Sequence, residues 1–291
     1  MNNLSMERRQ VLFSYLLLAP LLIMVAVIAL YPLFYAVVLS FTDRDLFSTG
    51  MHFIGLENFR TLAESPEFWR ATVNTFVYAG SCTIAQIVLG LATSLLLVQK
   101  FRGNYYFRAI LTFPYLVPTI VAVLVFQWMM NDVFGIVNRL LIWSGIIDEA
   151  IGWFGVERAM FSVILVSVWR FFPFAIMLFV PALEAIPGEL YEAAEVDGAT
   201  AWQRFWHITL PGIQEVMWVI VVLRGIWMFN MFDIIWLMTG GGPIGKTQIL
   251  PVYSFLQAFQ EYEIGLGSAT ATTGLVILVI LMGFYFKVGK K

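Results

Sequence analysis

Apolar residues fill this chain in six runs, at 11–41, 71–98, 109–130, 161–182, 213–238 and 265–286, and polar residues collect between them. A bilayer core takes about 20 apolar residues per helix, and a segment inside it must satisfy its own backbone hydrogen bonds, so each run is predicted to be a helix. The runs are too long for barrel strands. The first exceeds one straight crossing, and Pro20 and Pro32 predict kinks or an interfacial start. Glu7-Arg8-Arg9 ahead of it resembles the basic start of a signal peptide. The run is nevertheless longer than a signal core of about 7–15 residues, and no small-x-small cleavage pattern follows, so it reads as an uncleaved span.

Composition supports this class: 60% hydrophobic and 12% charged residues leave too little polar surface to cover a soluble globule. The net charge of −2 carries little information, because the charges sit in the loops. The basic residues Arg8, Arg9, Lys100, Arg102, Arg108, Lys287, Lys290 and Lys291 flank the short segments of one side, which the positive-inside rule makes cytoplasmic. The expected layout is therefore a cytoplasmic N-terminus at 1–10, one membrane domain over 11–291, both termini inside, and a cytoplasmic loop at 183–212. Segments 42–70, 131–160 and 239–264 face outward. In the second of these, Phe134, Val137, Leu140, Leu141, Trp143, Ile146 and Ile147 predict an amphipathic helix on the outer surface. Cys82 is the one cysteine, so neither a disulfide framework nor a cysteine-based metal site is available.

The loop at 183–212 has too much design for a simple connection. Pro187-Gly188 ends the fourth run, and 189–196 is built of helix formers with acids in the first turn, where the helix dipole favours them. Gly198 permits a reversal. Thr200 with Gln203 fits a capping box for a second short helix over 201–208, and Pro211 suits the start of the fifth span. A linker helix resting on lipid headgroups would favour bulky apolar and basic residues; Ala193 and Ala194 instead let another backbone approach.

In the order Glu192-Ala193-Ala194, Asp197-Gly198-Ala199 and Ile208-Thr209-Leu210-Pro211, the loop resembles that of the membrane subunits of ABC importers. The resemblance covers almost the whole chain. It is closest to the maltose-type carbohydrate permeases, through Phe53-Ile54-Gly55-Leu56-Glu57-Asn58-Phe59 and through Phe232-Asp233 leading into Thr239-Gly240-Gly241-Gly242-Pro243. One departure is Gln214-Glu215 where that family often has a second proline, which bears on the angle of the fifth span. The resemblance implies an all-α integral membrane protein of six spans with the type I ABC importer permease fold, in a bacterial cytoplasmic membrane. It implies a non-catalytic permease subunit that binds no cofactor or metal itself. ATP and Mg would belong to two ATPase subunits, with a second permease subunit beside this one, an external solute-binding protein above and no nucleic-acid partner. Glu192, Ala193, Ala194, Asp197, Gly198, Ala199, Leu210 and Pro211 would couple the chain to the ATPase, and a carbohydrate or carbohydrate derivative would be the cargo.

Gly240-Gly241-Gly242-Pro243-Ile244-Gly245-Lys246-Thr247 satisfies the P-loop pattern literally. It follows a membrane span rather than a buried strand, and it is expected outside, so it is read as an outer loop that supports contact with the binding protein or as an ordinary turn.

Polar groups within the spans are costly and mark a cavity or a partner. Arg170 and Arg224 fall near the middles of their spans, with Asn74, Gln86, Gln127, Asn230 and Asp233 as further polar groups and Trp169, Phe174 and Trp227 as flat apolar faces. The resemblance places Arg170, Phe174, Arg224, Trp227, Asn230 and Asp233 on the substrate path. The alternative is that one arginine pairs with Asp233 between helices while the aromatics only pack. Two such arginines leave an anionic sugar, phosphorylated or sulfonated, open as cargo. A secondary transporter independent of ATP is the alternative function, although Asp233 is the one clear carboxylate available within a span. A membrane enzyme would need converging catalytic groups, yet His52 and His207 fall on opposite sides.

Overall fold

The computed structural model describes residues 6–47, 50–99 and 101–288. Lys100, Lys290 and Lys291, three of the residues behind the expected orientation, lie outside these, as do residues 1–5. In chain order the helices are α1 (Met6–Val25), α2 (Tyr31–Leu39), α3 (Glu57–Glu64), α4 (Pro66–Leu97), α5 (Asn104–Leu116), α6 (Thr119–Met129), α7 (Ile136–Trp143), α8 (Ala159–Glu184), α9 (Gly188–Val196), α10 (Ala201–Arg204), α11 (Leu210–Gly212), α12 (Gln214–Phe229), α13 (Asp233–Thr239), α14 (Leu250–Phe259) and α15 (Ile264–Val288). Extended pairing among the described residues is limited to one bridge, Thr42 with Phe53. Among the described residues four helical stretches are long and apolar enough to cross a bilayer, and two bent pairs, α5 with α6 and α10–α11 with α12, bring the number to as many as six when each pair counts as one span.

The apolar runs at 109–130 and 213–238 are each carried by helices that bend. α5 and α6 meet at 98°, because Pro118 brings no N–H to the ladder and Val117 is extended (ψ 129°). The approach to α12 bends by 65° at Ile213, and the apolar run then breaks again after Phe229, where Asn230 turns its side-chain amide back onto Ile226 O at 3.0 Å. A second regularity involves proline. Short π segments at Ala26–Leu30 and Phe205–Thr209 each end two positions before a proline, Pro32 and Pro211. Tyr31 N–H donates to Ala26 O and Leu210 N–H to Phe205 O. The wider turn makes room for a ring that would collide with the carbonyl four residues back. The second short helix expected over 201–208 is accordingly α only to Arg204.

The described residues form two compact units, those within 1–65 with 254–275 and those within 66–253 with 276–291. In the first, Asn58 Nδ2 donates to Ser40 O and Thr42 O (3.0 and 2.9 Å), closing the end of α2, and the Phe41 ring packs on Phe59 at 5.3 Å. Thr270 Oγ1 donates to Gln257 Oε1 at 2.5 Å, and Ser254 Oγ to Gly267 O at 2.7 Å.

The second unit is organised by α4 against α8. Lipid offers apolar side chains no reason to leave it, so close packing must hold such helices together, and small residues permit it. A Cβ added at Gly90 would overlap that of Ala175. Ala175, Phe179 and Leu183 of α8 are buried with Ile213 and Ile220, and Ile87 and Leu91 of α4 pack on them. Tyr78 and Ser167 hydroxyls hydrogen-bond at 2.7 Å across the same pair. Tyr285 donates to Trp218 O at 2.6 Å, fastening α15 to α12. α7 lies within the run expected to be amphipathic: Leu140 and Trp143 are exposed, while Asn138 is buried and bound to Ile151 O and Trp153 Nε1.

Candidate functional site

Two places in the second unit gather the chemistry. The first is the elbow between α8 and α12. Gly198 ends α9 at φ +79°, in the left-handed region that a side chain disfavours. Ala199 N–H donates to Ala194 O (2.8 Å) and Gly198 N–H to Glu195 O (3.0 Å), the two bonds of a Schellman motif. Thr200 and Gln203 then form the predicted capping box for α10. The two arms of the elbow are tied by Tyr191 Oη with Thr209 Oγ1 at 2.9 Å and by an ion pair of Arg204 with Glu195. The result is a braced hairpin rather than a slack connection. Glu192, Ala193, Asp197, Gly198 and Pro211 lie exposed on it, and Ala194, Ala199 and Leu210 are half-buried. Val196 (89%) and Trp202 (69%) add apolar surface.

The second place is a cage around Arg224, which α12 holds at 1% exposure. Its Nε donates to Gln86 Oε1 of α4 at 2.6 Å, and Nη2 reaches Met228 Sδ at 3.8 Å. The guanidinium carbon lies 4.7 Å from the ring centre of Phe171, 5.4 Å from Phe174 and 5.3 Å from Trp227. Ring faces attract a cation, the more so when it is desolvated. Among the described residues no carboxylate pairs with Arg224, so the alternative of an Arg224–Asp233 pair is not what the molecule adopts. Arg170 is not paired with Asp233 either. Its Nε and Nη2 donate to Thr119 Oγ1 (3.2 and 3.1 Å), and Nη1 donates to Pro114 O (3.3 Å) and Tyr115 O (3.2 Å).

The structure thus brings Phe174, Arg224 and Trp227 together, sets Arg170 beside them through Phe171, and leaves Asn230 and Asp233 exposed at the break between α12 and α13. Sequence reasoning missed Phe171 and Tyr115. Phe171 was signalled by its place three residues before Phe174 on the same helical face; Tyr115, 6.3 Å from both rings, was signalled by nothing local.

Other polar residues of the spans turn out to close helix ends. Gln127 Nε2 donates to Leu237 O and Met238 O, Asn104 Nδ2 to Leu97 O and Gln99 O, and Asn74 Nδ2 to Gly245 O and Gln248 O. Each is one amide shared by two carbonyls that a helix or turn leaves open, a need that lipid makes acute. The segment 240–247 is a compact turn between α13 and α14, held by Thr239 and Thr247 hydroxyls at 2.6 Å and by Asn74. No strand leads into it, so it lacks the context of a phosphate cradle.

The sequence profile of the binding-protein-dependent transport system inner membrane component matches residues 86–290. The trehalose/maltose transport system permease protein MalF of Thermococcus litoralis is 33% identical over 292 residues, covering 99% of this chain and 98% of its own. The sulfoquinovosyl glycerol transport system permease protein SmoG of Agrobacterium fabrum is 33% identical over 280 residues, 95% of this chain and 90% of its own. A bacterial ABC transporter crystallised for its part in importing the acidic polysaccharide alginate has the same fold, with a TM-score of 0.84 at 21% identity over 98% of this chain and 97% of its own. On the profile match and the full-length identity together, this chain belongs to the binding-protein-dependent transport system inner membrane components, the permeases of ABC importers.

Proposed function

We propose that this chain is the non-catalytic permease subunit of an ATP-driven importer for a carbohydrate or carbohydrate derivative. It forms the path with a second permease subunit, two ATPase subunits sit at the cytoplasmic face, and a binding protein delivers cargo from outside. Both termini and the elbow face the cytoplasm. The elbow carries the reading: Glu192, Ala193, Asp197 and Gly198 stand exposed on a hairpin braced by the Schellman motif, the capping box and the Tyr191–Thr209 bond. A braced hairpin can pass a rigid-body displacement to the spans at each end, where a slack one would absorb it. The relatives' names favour saccharide cargo.

Arg170, Phe174, Arg224, Trp227, Asn230 and Asp233 border the path in this reading. Aromatic faces suit sugar rings, and the cation at Arg224, buried without a counter-ion among the described residues, favours cargo with an anionic group. The test is reconstitution with the ATPase subunits and binding protein in liposomes. Uptake should require ATP inside, fall in Glu192→Lys and Gly198→Pro, and favour a charged saccharide over its neutral analogue in wild type but not in Arg224→Gln. Uptake by the isolated chain on an ion gradient would contradict the reading; equal losses for both analogues in Arg224→Gln would remove its anionic part.

A further inference from the structure

The two arginines near the cage are not equivalent. In an unbroken helix the N–H of residue 118 would donate to Pro114 O and that of residue 119 to Tyr115 O. Pro118 has no N–H, and the chain turns through 98° before Thr119 opens α6. Val117 N–H reaches Pro114 O at 3.3 Å, and the remaining acceptor capacity falls to Arg170, which comes across from α8. Two of the carbonyls that lose their helical donor at the break, Pro114 O and Tyr115 O, are held by Nη1, and Nε and Nη2 hold the side chain of the residue on the far side. A cation also complements the partial negative charge at the end of α5. The same turn of α5 carries Tyr115, whose ring lies 6.3 Å from Phe171 and Phe174, two of the rings around Arg224.

We propose that Arg170 is a positioning residue that pins the break in the third span and so sets Tyr115 against the cage, leaving Arg224 as the arginine that meets the cargo. The proposal rests on the reading that cargo passes Arg224. Each guanidinium nitrogen of Arg170 donates to the protein, whereas among the described residues Arg224 has Gln86 as its one oxygen acceptor. Gln127, which joins α6 to the end of α13, extends the pinned unit beyond the break.

The test uses the assembled importer with its binding protein in liposomes, carrying Arg170→Gln, Arg170→Lys or the double variant Arg170→Gln/Pro118→Ala. Alanine at 118 returns an N–H donor to the break. Arg170→Gln should lower the maximal uptake rate by about tenfold and change the half-saturating cargo concentration by less than about threefold, equally for charged and neutral analogues. Arg170→Lys should recover only part of the rate, because an ammonium lacks the planar fork that spans these acceptors. The double variant should recover more than half of the loss, a coupling expected only if Arg170 acts through the break. If Arg170→Gln does not assemble, recovery of the complex by Pro118→Ala is the same rescue. A rise in half-saturating concentration of about tenfold at unchanged maximal rate, or no recovery by Pro118→Ala, overturns the proposal. Arg224→Gln measured alongside separates the two readings: unchanged cargo dependence there removes the cargo site but leaves the Pro118 rescue to decide Arg170.

Discussion

Gln86 of α4 and Arg224 of α12 are joined by a 2.6 Å hydrogen bond, from Nε to Oε1, inside the second compact unit. Gln86 is fully buried and Arg224 is 1% exposed, so the pair stands in a low dielectric with no carboxylate among the described residues to balance it. Gln86→Leu removes the oxygen acceptor of the cation and should cost about 1.5–3 kcal/mol in the unfolding of the purified complex. Gln86→Glu supplies the missing charge: the complex should be at least as stable as wild type, while uptake of an anionic saccharide falls by about tenfold or more. A thermal unfolding curve together with an uptake assay checks both.

The elbow depends on one backbone conformation. Gly198→Ala places a Cβ at φ +79° and should cost about 1–2 kcal/mol locally, weakening the end of α9. Uptake should drop while the assembled complex persists. Thr200→Ala removes the capping box and should cost about 1 kcal/mol, with a milder loss of uptake. Cargo-stimulated ATP hydrolysis by the whole complex is the measurement for both.

Gly90 should tolerate no larger side chain. Its Cβ position is already occupied by that of Ala175, so Gly90→Leu must drive α4 and α8 apart along their main contact. The expected result is loss of the folded subunit from membranes, seen by quantitative immunoblot, whereas Gly80→Leu, with open space at its Cβ, should accumulate normally.

Long apolar runs and the elbow were legible in the sequence itself. Lipid forces helices wherever some twenty apolar residues stand together, and caps such as Thr200–Gln203 are local by nature. What was not legible was the use of each polar residue inside a span. Gln127 and Asn74 have the same sequence signature as cavity-lining groups, but their partners, Leu237 and Gly245, are more than a hundred residues away. The third-span break itself was written in Pro114 and Pro118, yet its closing donor, Arg170, lies on another helix. A polar residue in a span therefore signals an open carbonyl as readily as a transport path.

Outside the spans, Asp43 offers a pH test. His52 N–H donates to its Oδ1 at 2.7 Å and the His52 ring sits 2.9 Å from Oδ2; these bonds, the backbone one first, hold the carboxyl below its usual range. A lowered folded value stabilises the turn above the unfolded value, and that contribution is lost as pH falls through the folded one. Protection of the His52 amide from exchange, corrected for the intrinsic rate, should persist above the ordinary aspartate range and be lost on acidification below it. Asp43→Asn should flatten the dependence.

Attachment of the elbow to an ATPase inside the cell is read most directly by a cysteine at position 192. Cys82 is buried, so Glu192→Cys would be the reactive thiol among the described residues. In the assembled importer it should cross-link to the ATPase subunit and, in intact cells, stay unlabelled by a membrane-impermeant maleimide. Labelling from outside, or no cross-link in a complex that still transports, would contradict a stroke delivered through this hairpin.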